Sequence, residues 1–360
     1  MDIAEPADAP PVATTRSRRP QSLYTELAAT IRESGLLRRR RGWYWTQIVL
    51  CSAALAAIAA GVVVLDDSWW QLALAAVLGL VTTQFGFLGH DAAHRQVFAS
   101  ATGNDWAARL LAGLGAGLSF GWWRSKHNRH HAAPNQVDRD PDIAPGTFAF
   151  TPEIAASRTG PAAAFTRRQG WLFVPLLTLE GLNLHAASII TLLRRDDVPY
   201  RRLELAMVVL RLGGYVALLL VVLPPGMAAA FFGVQMAVFG VGLGASFAPN
   251  HKGMPIVPAG ATVDFLRRQV LMSRNVHGGA LTDVMMGGLN YQIEHHLFPS
   301  MPRPNLRRAR PLIREYCERH QVDYAEVGLV ESWGIVVRYM NTVGLRDPQP
   351  FSCPVSTTLR

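Results

Sequence analysis

The chain has 360 residues, 49% of them hydrophobic, and a mean hydropathy of +0.14, which is too apolar for an ordinary soluble domain of this length. Three cysteines, Cys51, Cys317 and Cys353, show neither metal-ligand spacing nor a disulfide framework, which excludes an iron–sulfur centre of the chain's own. The net charge of +9 comes from arginines that border apolar runs, so anchoring to anionic lipid headgroups accounts for it and nucleic acid is not an expected partner.

Residues 1–42 are rich in Pro, Ala and Arg and do not have the layout of a cleavable signal. They are expected to be a cytoplasmic, disordered segment. Arg38 to Arg41 stand directly before the first apolar run and place that end on the cytoplasmic side. Residues 45–65 and 69–89 carry no charge. About 20 apolar residues in a helix cross the ~30 Å hydrocarbon core, so both runs are expected to span a membrane. Asp66-Asp67-Ser68 closes them into a hairpin, and the second run ends in "GHDAAH" (89–94).

The uncharged stretch 110–123 predicts a helix of about 21 Å, too short to cross and suited to the interface. It leads to "KHNRHH" (126–131), and the polar stretch 132–168 reads as a loop. Residues 169–193 are long enough to cross but contain Pro175, Glu180, Asn183 and His185. A crossing there would put Arg194, Arg195, Arg201 and Arg202 outside and split the histidine motifs across the bilayer. The positive-inside rule therefore favours an interfacial segment. Runs at about 203–223 and 227–249, separated by Leu223-Pro224-Pro225-Gly226, predict a second hairpin. Beyond residue 250 the chain is expected to be cytoplasmic. Within it "RPNLRRARPLIREYCERH" (303–320) reads as a basic amphipathic helix near the membrane surface. The expected division is a membrane and catalytic domain over 43–320 and a tail over 321–360. "GLGAG" (113–117) and "GVGLG" (240–244) lack the spacing of a dinucleotide fingerprint and point to close helix packing.

Eleven histidines are present, and most fall in three clusters. His90 and His94 are four apart, on one face of a helix. His127, His130 and His131 are three and four apart, and Gln292, His295 and His296 repeat that pattern with glutamine first. Seven histidines in three stripes exceed the needs of one four-coordinate zinc site and suggest two metal ions. Imidazole suits Fe, Zn, Cu and Ni; thiolates and a Glu-x-x-His motif are missing, so an all-nitrogen site favours di-iron oxygen chemistry. His251 directly follows the fourth run and is a further candidate ligand, with Asn250 beside it. His185 and His277 are assigned supporting, substrate-lining or incidental places, and His320 a solvated one. Metal-bound histidines usually donate their other N–H to a carboxylate or carbonyl. Asp91 and Glu294 rank first for that role, ahead of Asp138, Asp140, Asp142 and Asp283. Gln292 is a possible ligand, or orients a metal-bound water.

On "HDAAH" (90–94), "HNRHH" (127–131) and "QIEHHLFP" (292–299), the chain resembles the membrane-bound fatty acid desaturases over most of residues 40–315. The resemblance implies an all-α integral membrane protein: four transmembrane helices in two hairpins, with interfacial helices and a cytoplasmic helical cap holding a dinuclear iron site. Its ligands would be His90, His94, His127, His130, His131, His295 and His296, with His251 as the extra ligand after the fourth span. The third box begins with Gln292 where stearoyl-CoA-type enzymes have His. Gln there is typical of front-end desaturases and several bacterial acyl desaturases. Many front-end enzymes carry a fused cytochrome b5 domain with a His-Pro-Gly-Gly haem motif, and that motif is missing from this sequence.

The activity expected is O2-dependent introduction of a cis double bond into a fatty acyl chain carried by CoA or a lipid. Two iron ions are the expected cofactors, with no bound flavin or haem. A separate ferredoxin-like donor with its NAD(P)H reductase would supply electrons, and the arginines around 303–310 are candidates to dock it or an acyl-CoA phosphate, or to contact lipid headgroups. The cell membrane is the expected location, with the cap on the cytoplasmic side. The alternatives are a histidine-box lipid hydroxylase or carotenoid-type oxygenase. A membrane metal transporter is disfavoured because its histidines should lie within the spans.

Overall fold

The computed structural model describes residues 22–345. Expectations for residues 1–21 and 346–360, Cys353 among them, fall outside the described residues. The first element corrects an expectation. Residues 23–33, assigned to a disordered segment, form helix α1 (Leu23–Glu33). Ser22 caps it by accepting the Thr25 amide, and Leu27 and Ile31, four apart, bury completely against the rest of the chain.

Two long helices follow, α2 (Arg41–Val64) and α3 (Trp70–Ala93). The turn between them is held by one side chain: Gln71 Nε2 donates to the carbonyls of Val62 and Asp66, both at 2.9 Å. Trp69 and Trp70 are exposed at this end, where an interfacial aromatic belt belongs.

The expected single helix over 110–123 is broken in two. Helix α4 (Ala101–Leu110) runs into a π-helical turn (Leu111–Ala116) and stops at Gly117, whose φ of 75° is left-handed. Ser119 then caps α5 (Phe120–Ala132), which carries the second histidine box. A buried carboxylate fixes this start. Glu204 accepts from Ser119 Oγ at 2.7 Å, from the Gly121 amide at 3.0 Å and from Arg109 Nε at 3.2 Å.

Residues 132–168 are irregular apart from α6 (Pro152–Ala156) and α7 (Gly160–Thr166). The segment 169–194 is α8 (Gln169–Leu176), a 3₁₀ turn (Leu177–Leu179) and α9 (Glu180–Arg194). By length and composition it is a fifth helix apolar enough to cross a membrane, beside α2, α3, α10 (Arg201–Val222) and α11 (Pro225–His251). Its middle packs against the middle of α11, where a Cβ on Gly240 would lie 2.4 Å from the Leu177 carbonyl. That close approach explains the small residues of "GVGLG". Its first residue is tied elsewhere: Gln169 Nε2 donates to the carbonyls of Ala149 (2.7 Å) and Met340 (3.0 Å).

The remaining elements are α12 (Phe265–Leu271), β1 (Asn275–His277), α13 (Ala280–Met285), α14 (Gln292–Leu297), α15 (Arg303–Arg319), β2 (Glu326–Gly328) and α16 (Leu329–Gly344). A core of α1, α12, α14 and α15 side chains encloses the third histidine box. The apolar face of α15 (Leu306, Ile313, Tyr316) belongs to that core, while Leu312 stays exposed. Residues after 320 are more than a tail. Strand β2 pairs in parallel with β1, Val276 opposite Val327, and α16 packs on α8 and α11. Val336, Met340 and Val343 are fully buried there, which is why the chain is ordered past the expected boundary.

Candidate metal centre

The three boxes lie on separate elements and meet at one end of the long helices. His90 closes the last turn of α3 and His94 follows it; His127, His130 and His131 line the last turns of α5; His251 ends α11; His295 and His296 lie on α14. The ligand atoms of His90, His94, His127 and His295 all fall within 4.8 Å of one another, as do those of His130, His251 and His296. His131 bridges the groups. Its Nε2 is 2.9 Å from His127 Nε2 and 3.2 Å from His295 Nε2, and its ring stacks on His296 at 4.2 Å.

Four of the rings turn their other nitrogen to a fixed acceptor, whereas His295 Nδ1 is buried without one. His90 Nδ1 meets Asp91 at 3.3 Å, and His130 Nδ1 meets the Asp140 carboxylate at 3.0 Å. His251 Nδ1 meets the Met272 carbonyl at 3.0 Å, and His296 Nδ1 meets Gln269 Oε1 at 2.9 Å. A proton held on each Nδ1 leaves the Nε2 lone pair aimed inward, the arrangement of metal-bound imidazole. The Nε2 atoms of His90 and His296 are buried with no protein partner. Orphaned buried nitrogens among other imidazole lone pairs fit a pair of cations.

Electrostatics agree. Burial first, then neighbouring imidazoles, hold His127, His131, His295 and His296 well below the ordinary histidine value, so all four are neutral and able to ligate. His130 differs: burial opposes its charge, but Asp140 raises it above the ordinary value. Asp140 also accepts the Asn135 amide (2.7 Å) and the Asp142 amide (2.9 Å), so it serves as a support for His130 and its loop.

Gln292 stands in the second group. Its Nε2 is 2.9 Å from His251 Nε2, and its Oε1 accepts from Asn250 Nδ2 at 3.1 Å; both residues are fully buried. Asp91 contacts a clustered histidine, but Glu294 turns away from the rings, accepting from Asn275 Nδ2 (2.7 Å) and Tyr324 OH (2.6 Å). Burial pushes its carboxyl up to about 7 despite those two bonds. His185 does not join the centre: its Nδ1 bonds the Gly117 carbonyl at 3.0 Å and its ring lies on Phe239. Asp283 bonds Asn290, Asp138 is exposed in a left-handed turn, His277 is exposed on β1, and His320 lies against Tyr316.

Sequence reasoning missed Gln269 as a support. It lies 27 residues from His296, on an unremarkable helix, and besides holding that ring it donates to the His131 carbonyl at 3.0 Å. Nothing local in the sequence marks it. Asp140 is ten residues from His130, and the folded loop brings the two together.

A cavity of about 420 Å³ opens beside the centre. His90, His127 and His251 line it, and Leu118, Phe120, Leu177 and Leu243 make much of the rest apolar. At its polar part Lys126 pairs with Asp142 at 2.7 Å, and Lys252 donates to the Asp142 carbonyl at 3.0 Å.

The family model described as "Fatty acid desaturase" matches residues 67–328, which include every histidine of the two groups. The chain belongs to the fatty acid desaturase family. Among curated desaturases it is 31% identical over 281 residues to an acyl-lipid (9-3)-desaturase of Physcomitrium patens, covering 76% of this chain and 53% of that protein. It is 28% identical over 283 residues to delta(8)-fatty-acid desaturase 1 of Arabidopsis thaliana (74% and 62% covered). It is 31% identical over 270 residues to the delta(6)-fatty-acid desaturase fat-3 of Caenorhabditis elegans (71% and 60% covered). The chain thus spans about half to two thirds of the length of these desaturases.

Proposed function

We propose that this protein is an O2-dependent fatty acyl desaturase that introduces a cis double bond into a chain held in the apolar cavity. The observation that carries the reading is the cavity's contact with His90, His127 and His251, members of the two histidine groups. His90, His94, His127, His130, His131, His251, His295 and His296 would hold two irons, with Gln292 beside His251 and Asn250 orienting its amide. A bound di-iron centre supplies the redox chemistry of O2 that removes two hydrogens from the chain. The protein's own residues do the rest. Asp91, Asp140, Gln269 and the Met272 carbonyl fix the imidazole rings. Leu118, Phe120, Leu177 and Leu243 hold the methylenes and keep water out. The relatives' names, fatty-acid and acyl-lipid desaturases, support a fatty acyl substrate. In this reading the chain is carried by CoA or a lipid, and a ferredoxin-like donor with its reductase supplies electrons.

The same reading includes four spans with the cap in the cytoplasm of a cell-membrane protein. The 3₁₀ break at Leu177–Leu179 and the tie from Gln169 to Met340 support segment 169–194 dipping in and returning to one side. Arg194, Arg195, Arg201 and Arg202 then stay inside.

Expression in a host of defined fatty acids, followed by mass spectrometry, tests the activity. A product two hydrogens lighter than its substrate is expected, and it should vanish with His295→Ala. A product heavier by one oxygen would instead make the protein a hydroxylase.

A further inference from the structure

We propose that an acidic iron–sulfur protein docks where the edges of His94 and His131 reach the surface, on a rim of Arg95, Arg129 and Arg268, and passes electrons to the centre through those two rings. The inference rests on the redox reading above. Among the clustered histidines, His94 and His131 are the two that are not fully buried. Their rings touch, with centroids 4.6 Å apart. Outside the apolar cavity, they are therefore the clustered rings that meet solvent.

The rim is cationic. Arg95 follows His94 in a left-handed turn (φ 59°) and is exposed. Arg129 is exposed on the same helix as His131. Neither side chain has an ion-pair or hydrogen-bond partner among the described residues. Arg268 donates to the Ala132 carbonyl at 3.0 Å, next to His131, and Arg139 stands close enough to repel it. Two acids are near: Asp264, engaged by Arg267 at 3.2 Å, and exposed Asp138. Positive charge still prevails.

The arginines of 303–310 are largely spoken for. Arg303 bonds Asp91 at 2.7 Å, Arg310 bonds Glu326 at 2.9 Å, and Arg307 lies 3.6 Å from Asp283. The surface suggested by the basic run in the sequence is thus mostly neutralised, while that around His94 and His131 is not.

The chemistry requires such a visitor. O2, two electrons, two protons and one –CH2–CH2– unit become –CH=CH– and two waters. A single-electron carrier must call twice, so a small, charge-steered, short-lived contact suits it better than a large apolar one.

The test uses the full-length, iron-loaded protein in lipid nanodiscs, with a plant-type [2Fe–2S] ferredoxin kept reduced by NADPH and its reductase. The second-order rate of ferredoxin oxidation should fall steeply with salt, and Arg95→Glu with Arg129→Glu should lower it about tenfold or more and flatten the salt dependence. Arg308→Glu, another exposed cation on α15 without an ion pair, should leave it unchanged. Turnover driven by photoreduced methyl viologen should be the same in all these proteins. An equal loss with Arg308→Glu, an equal loss with methyl viologen, or no loss at all overturns the docking surface. If the unaltered protein makes no desaturated product even with methyl viologen and O2, the functional reading itself fails.

Discussion

Each clustered imidazole that ends in a Nδ1 hydrogen bond has its tautomer chosen for it. Asp140 is the clearest case, because three donors converge on one buried carboxylate: His130 Nδ1, the Asn135 amide and the Asp142 amide. Asp140→Asn removes the charge that favours His130 as a donor. Loss of such an outer support typically costs about 10–100-fold in metal affinity. Iron retained after challenge with a chelator, measured by elemental analysis, should drop accordingly, while exposed Asp138→Asn should match the unaltered protein. Gln269→Leu strips His296 of its acceptor and should weaken metal retention in the same assay. Gln292 is a separate matter. Its amide contacts His251 and is itself held by Asn250, so Gln292→His should change the second metal position without disturbing the first.

Helix breaks, rather than helices, position the site. The left-handed Gly117 ends one helix so that Ser119 can cap the next, and Glu204 on α10 holds that junction by three hydrogen bonds. The second break, at Leu177–Leu179, lets segment 169–194 press against Gly240. A methyl group at Gly240 would meet the Leu177 carbonyl at 2.4 Å and the Gly181 amide nitrogen at 2.6 Å. Backbone atoms on both sides leave it nowhere to go. Gly240→Ala should destabilise the protein by about 1–3 kcal/mol, read as a lowered thermal unfolding midpoint in detergent. Gly233→Ala, on the same helix with open space, should not. Hydropathy sees runs of apolar residues but not these breaks, so it merged 110–123 into one helix.

At the scale of the molecule, chain ends distant in sequence close over the third box. Tyr24 on α1 donates to the Leu297 carbonyl at 3.2 Å, and Tyr324 near β2 bonds Glu294. Removing everything after His320 deletes Tyr324, β2 and α16. It should leave a protein that fails to hold iron and elutes as aggregate on size exclusion. The topology has its own measurement. With Cys353 replaced by serine, a cysteine at exposed Asp67 should react with an impermeant maleimide from outside whole cells, and one at exposed Asp196 should react only after lysis. Reaction at both from outside would make 169–194 a fifth span.

The sequence by itself determined the apolar helices, the histidine stripes and their family, because all three are written in local periodicity: runs of about 20 apolar residues, and ligands three and four apart. It also marked Asp91, one residue from its histidine. Only the tertiary structure decided which histidines share a group, that Asp140 and Gln269 support them, that α1 and residues 321–345 belong to the folded body, and which arginines stay free. Those outcomes depend on contacts between residues up to 293 positions apart, as from Leu23 to Tyr316. Local spacing carries no record of them.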